Sequence, residues 1–173
     1  PTTAAVATNA SASTGVNNFI DDGDWFRVTL TTGGGRVPTA ADSPAVAREV
    51  ETIALIDQPG GVSRVAKQLA ESRRRDPNAT LFPEAVVNVM GYDYLQAGDV
   101  AQAIEIFSLN VSAYPQSPNA YDSLADAYLA GGQRDLARAN ARKALDLLPA
   151  ATDVPEAFRN RIRESAEQKL KQP

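Results

Sequence analysis

The side chains that carry most reactive chemistry in proteins are missing here: the 173 residues include no histidine and no cysteine. A Ser-His-Asp or Cys-His nucleophile system is therefore excluded within the chain, as is a zinc site built on imidazole or thiolate. No disulfide can form. Carboxylates remain, but general acid–base work needs two of them in one pocket. Nothing in the spacing of Glu84, Glu105 or the many aspartates places two together. Asp21, Asp22 and Asp24 around Gly23 are clustered oxygen donors of the kind calcium takes. The rest of an EF-hand loop is absent, so a turn ahead of a strand is the better reading. Gly33-Gly34-Gly35-Arg36 lacks the Gly-Lys-Ser/Thr of a phosphate loop and reads as a connector. Arg73-Arg74-Arg75 falls at a helix end, where cations meet the negative end of the dipole. The glycosylation tripeptides at Asn9, Asn78 and Asn110 are expected by chance. A net charge of -4 argues against a nucleic-acid surface, which needs a basic excess. No apolar run approaches the roughly 20 residues that span a bilayer. The chemistry left to this chain is recognition, with no cofactor and no metal expected.

Positioning these residues falls to the elements along the chain. Residues 1–18 carry no charge and are mostly Ala, Thr, Ser, Asn and Val, a flexible linker or processed N-terminus. The only methionine is Met90, so a signal peptide, a larger upstream domain or a stretch lost in cloning is expected ahead of Pro1. Residues 19–41 read as an extended or β-hairpin segment. Within it Trp25-Phe26-Arg27-Val28-Thr29-Leu30 has the aromatic and β-branched content of a strand, and Asp22-Gly23 suits a turn. From Ser43, an N-cap followed by Pro44 at the first helical position, the pattern turns helical. Helices are predicted from Pro44 to about Asp57, Val62 to Arg75, Pro83 to Gln96, Val100 to Ala113, Pro118 to Ala130, Arg134 to Leu147 and Pro155 to Lys169.

Two of the helical pairs match each other at a spacing of 34 residues. Tyr94 pairs with Tyr128, Gly98 with Gly132, Ala103 with Ala137 and Pro115 with Pro149. Val87 and Tyr121 share a bulky slot, and Gly91 and Ala125 a small one where the partner helix must approach. Phe107 gives way to Ala141, and Asn110 to Ala144. A period of this length marks stacked helical pairs. These residues resemble the signature of the tetratricopeptide repeat family over Glu84 to Ala151, with repeats at 84–117 and 118–151. The resemblance implies an all-α fold of helical hairpins wound as a right-handed α-solenoid. Because two repeats are fewer than such arrays need, residues 42–77 are expected to stack in front as a degenerate pair and 152–173 to cap the end. On the capping helix Ala157, Phe158, Ile162, Ala166 and Leu170 are expected to cover the core, with charges including Lys169 on a solvated face.

A narrower resemblance lies in Phe107-Ser108-Leu109-Asn110-Val111, Tyr114-Pro115 and Asn119-Ala120-Tyr121-Asp122-Ser123-Leu124. This string is similar to repeats at the C-terminal end of bacterial serine hydrolases, β-lactamase-like and α/β-hydrolase esterases among them. The family resemblance implies a protein–protein interaction scaffold, adaptor or assembly subunit that is not itself an enzyme. The narrower one implies a non-catalytic repeat domain serving dimerisation or substrate access, which leaves a homodimer open. The Ala/Thr/Ser-rich start favours an exported bacterial protein, periplasmic or secreted, although a linker inside a cytoplasmic enzyme has the same composition.

Members of the family bind partners on a concave face lined by the first helix of each repeat. Aligned to that face are Asn88, Tyr92 and Leu95, then Asn119, Asp122, Asp126 and Leu129. Asn88 and Tyr92 are four apart, as are Asp122 and Asp126, so each pair shares a helix face. The expected groove is polar and acidic with one aromatic anchor, suited to a basic or neutral segment. It lacks the Lys and Arg with which chaperone-binding members grip a C-terminal carboxylate. On this reading Asp122→Lys with Asp126→Lys abolishes binding and leaves the fold intact.

Overall fold

The computed structural model of the protein describes residues 44–171. The linker at 1–18, the segment at 19–41 with its predicted strand, the aspartate cluster and the Ser43 cap lie outside the described residues. The chain divides into two units, Pro1–Ala47 and Arg48–Pro173. Among the described residues, every buried hydrophobic side chain belongs to the second unit.

The regular elements among the described residues are all helices. They form α1 (Pro44–Ile56), α2 (Gly61–Arg73), α3 (Glu84–Gln96), α4 (Val100–Ala113), α5 (Pro118–Ala130), α6 (Arg134–Leu147), a short 3₁₀ turn (Leu148–Ala150) and α7 (Glu156–Lys171). The bounds of α4, α5 and α6 are those the sequence predicts, because their ends carry strong local signals. Asp99 Oδ1 accepts the Gln102 amide at 3.1 Å, and Ser117 Oγ accepts the Ala120 amide at 3.2 Å. Each caps an N–H that a helix start leaves without a partner.

The repeated Tyr and Gly form the helix ends. Gly98 and Gly132 adopt φ of 84° and 70°, a left-handed backbone that costs other residues. Past Gly98, the Asp99 amide reaches back to the Tyr94 carbonyl at 2.9 Å, and the Gly98 amide to Leu95 at 3.1 Å. Past Gly132, Gln133 reaches Tyr128 at 2.8 Å and Gly132 reaches Leu129 at 3.0 Å. Both are Schellman motifs. The 34-residue period is thus a repeat of backbone geometry at these positions as well as of residue type.

Three buried clusters run through the helices. The first joins Ile56, Val62, Val65 and Leu69 to Phe82 and Val87, and to Ile106, Leu109 and Ala113 of α4. The second, Ala103, Phe107, Leu124 and Ala127, lies between the α3–α4 and α5–α6 hairpins. In the third, Ile162 and Ala166 of α7 pack on Ala125, Ala141, Ala144 and Leu148, flanked by Phe158 and Leu170. Four of the five residues expected to cover the core from α7 therefore do so; Ala157 is exposed. The hairpins close tightly at small residues: Ala103 and Ala125 are 0% exposed. A Cβ placed on Gly91 would sit 2.5 Å from the ring of Phe107.

Arg73 departs from the sequence expectation. It does not merely face the dipole of its own helix. Its guanidinium donates to the carbonyls of Ser112 and Ala113 at 2.5 Å each, and to Ala79 at 3.2 Å. A planar fork suits two adjacent carbonyls, and the last carbonyls of α4 have no partner within their own helix. Arg73 thereby ties α2 to the end of α4. α2 closes at Arg73, short of the expected Arg75, and the chain turns at Asp76, whose Oδ1 accepts the Asn78 amide at 2.9 Å.

Candidate functional site

The acidic residues of α5 come together with α3 and α7. Asp122 and Asp126 lie one helical turn apart, and between them sits the ammonium of Lys169. Lys169 Nζ is 2.8 Å from Asp122 Oδ1 and 2.8 Å from Asp126 Oδ1. It also donates to Ser165 Oγ at 2.7 Å. Three oxygens thus surround a group that has three N–H donors.

Asp126 is held from its other side. Tyr92 of α3 donates its hydroxyl to Asp126 Oδ2 at 2.9 Å, with Ser123 Oγ at 3.3 Å. The Tyr92 ring meets Phe107 edge to face at a centroid distance of 5.0 Å. Burial first, then the negative charge of Asp126, holds the Tyr92 hydroxyl well above the ordinary tyrosine value. It remains a phenol and a hydrogen-bond donor. Tyr92, expected as the aromatic anchor of the groove, is pinned by the core on one side and by a carboxylate on the other.

Electrostatics explain what the arrangement does. Two carboxylates face one ammonium, so the cluster carries one negative charge in excess. Burial pushes the Asp122 carboxyl above its ordinary value, and the attraction of Lys169 offsets this only in part. Burial thus opposes the charge on Asp122, and the excess rests on the count of two carboxylates facing a single ammonium. Exposure is uneven: the side chains of Lys169 and Asp122 are 4% and 10% exposed, that of Asp126 32%. Asp126 is the carboxylate that solvent reaches.

The remaining predicted face residues are scattered. Asn119 donates its amide to Glu84 Oε1 at 3.1 Å, where Ser117 Oγ also donates at 2.7 Å. That contact joins the starts of α3 and α5. Leu95 packs with the cluster between the hairpins. Leu129 is partly buried near the end of α5. Asn88 is buried one turn before Tyr92, and its Oδ1 has no partner among the described residues. Of the seven predicted residues, the structure joins Tyr92, Asp122 and Asp126 in one network.

Two expectations are corrected. Lys169, assigned to a solvated outer face, is buried between the two aspartates. Asp122 and Asp126 accordingly hold α7 in place, so replacing both with lysine would crowd three ammonium groups together and disturb the fold. Sequence reasoning missed Lys169, Ser165 and Ser123. A signal for Lys169 was present: Ile162, Ala166 and Lys169 fall at i, i+4 and i+7, so the apolar stripe of α7 runs into the lysine.

Among the described residues no cluster of three or more potential metal ligands occurs, and no helix is long and apolar enough to cross a membrane. In comparisons with known proteins, no family model and no curated protein matches the chain.

Proposed function

We infer that the protein is a tetratricopeptide-type interaction module, a right-handed solenoid that serves as scaffold, adaptor or assembly subunit. The observation that carries this reading is the acidic network on α5. Two carboxylates one turn apart, one oriented by Tyr92 from the preceding hairpin, grip a cation supplied by a separate helix. This is recognition chemistry performed within the chain, and it uses first-helix residues of both matched hairpins. The 34-residue equivalence of the Tyr and Gly helix ends supports the repeat assignment. The absence of histidine and cysteine supports a binding role over nucleophilic catalysis by those residues. The face favours a basic segment, because the excess charge is negative and its exposed member is Asp126.

The test is immunoprecipitation from the native source read by mass spectrometry, with Asp126→Asn alongside the unaltered chain. Asp122 keeps Lys169 paired in that variant, so the fold is retained. A stoichiometric protein partner recovered with the unaltered chain and depleted with Asp126→Asn is the expected result. No stoichiometric partner, or equal recovery with both, contradicts the reading.

A further inference from the structure

α7 is docked by few fully buried residues, with Phe158 and Leu170 partly buried beside them. Of its 16 residues, Ile162, Ala166 and Lys169 are buried, whereas α5 buries seven of 13. The stripe ends in an ammonium where an apolar group would close the core as well, since a buried ion pair is often no more stabilising than a well-packed hydrophobic replacement. What the lysine adds is a specific fit to oxygens arranged before it arrives. Asp126 is fixed through Oδ2 by Tyr92, a contact independent of α7. The seat also keeps one carboxylate more than Lys169 neutralises. With 32% of its side chain exposed, Asp126 offers an incoming cation a first contact while Lys169 is still in place.

We propose that α7 is the resident, displaceable occupant of a lysine seat formed by Asp122, Asp126 and Tyr92. The partner the seat fits is a helix that presents Ala-x-x-Lys, the pattern of Ala166 and Lys169, and takes the place of α7. The small residue is required because the surface beneath is built of Ala125, Ala141 and Ala144. The lysine is required because a compact ammonium reaches both seat carboxylates, Asp122 Oδ1 and Asp126 Oδ1, at 2.8 Å each. This rests on the recognition reading and gives it a partner chemistry.

The probe is a fluorescein-labelled peptide of residues 155–171, with a counterpart carrying Lys169→Gln. Both are titrated by anisotropy into the full chain and into the full chain carrying Lys169→Ala. Loosening the resident helix raises the fraction of open seats. The expected result is at least tenfold tighter binding of the lysine peptide to the Lys169→Ala chain than to the unaltered one. The glutamine peptide is expected to bind at least tenfold more weakly than the lysine peptide. Equal affinity of the two peptides, or no binding to a folded Lys169→Ala chain, overturns the proposal. A Lys169→Ala dimer in light scattering without peptide binding assigns the seat to a second copy and overturns the partner helix. If the variant does not fold, amide exchange on the unaltered chain decides: α7 must open before α5, and equal protection of the two helices refutes displacement. The titration needs no cellular partner, so its failure is separate from failure of the scaffold reading. Peptide binding with no partner recovered sinks the scaffold alone, and a recovered partner without peptide binding sinks the seat alone.

Discussion

Gly91→Ala tests whether the first matched hairpin is closed by a small residue set against a large one. A Cβ on Gly91 would fall 2.5, 2.6 and 2.8 Å from three ring carbons of Phe107. Ordinary carbon contacts lie near 3.5–4 Å, so the ring or the helix must move by about 1 Å. Phe107 is 0% exposed and held edge to face by Tyr92, so no open space receives it. Overpacking of this kind costs about 1–3 kcal/mol. Alanine's better helix propensity returns about 1 kcal/mol. The net expectation is destabilisation of up to about 2 kcal/mol in urea unfolding followed by helical ellipticity. The second hairpin supplies the control. Thirty-four residues on, the equivalent positions are Ala125 and Ala141, both 0% exposed. In a Phe107→Ala background, which by itself costs about 3–5 kcal/mol, Gly91→Ala recreates that pair and turns stabilising by about 1 kcal/mol, the propensity gain without the clash. A stabilising Gly91→Ala in the unaltered chain, or the same effect in both backgrounds, refutes the reasoning.

Asp122→Asn reads the cost of burial. Because the folded-state Asp122 carboxyl lies above its ordinary 3.8, its contribution to stability grows as pH falls through the folded value and is complete below 3.8. The variant is therefore expected to match or exceed the unaltered chain in stability at neutral pH and to lose that advantage on acidification toward 3.8, measured by urea midpoints at both ends. A variant that is weaker at neutral pH and catches up in acid would show that Lys169 outweighs burial. Arg73→Met removes the fork that joins α2 to the carbonyls of Ser112 and Ala113. Hydrogen bonds from a charged donor carry about 1.5–3 kcal/mol, so a loss of about 2 kcal/mol is expected in the same assay. A loss below about 0.5 kcal/mol would place the arginine among ordinary surface substitutions.

How much was legible in the sequence depended on the range of the interaction. Helix ends set by neighbours within a few residues were readable: Asp99 and Ser117 at the starts, Gly98 and Gly132 at the stops. The 34-residue period exposed Gly91 and Ala125 as one slot and Phe107 and Ala141 as another. It did not show that the two departures compensate, because that requires knowing that Phe107 lies over Gly91. Asp122 and Asp126 were readable as one face from their spacing. Their ion was not, because Lys169 is 47 residues from Asp122 and on a helix outside the matched pairs. Counting charges made Lys169 look solvated; only its place on the Ile162–Ala166 stripe distinguished it. Glu84 was set aside for want of a second carboxylate nearby. Its role is instead to receive Ser117 and Asn119 from the next hairpin, a contact of 33–35 residues.

The most direct test of the acidic seat is a double-mutant cycle between Lys169→Met and Asp126→Asn, read by urea unfolding of the full chain. If the ammonium is bound between the two aspartates, the single changes are coupled, and a coupling energy of about 1 kcal/mol or more is expected. Additivity within about 0.5 kcal/mol would show that Lys169 and Asp126 do not share the interaction and would contradict the account.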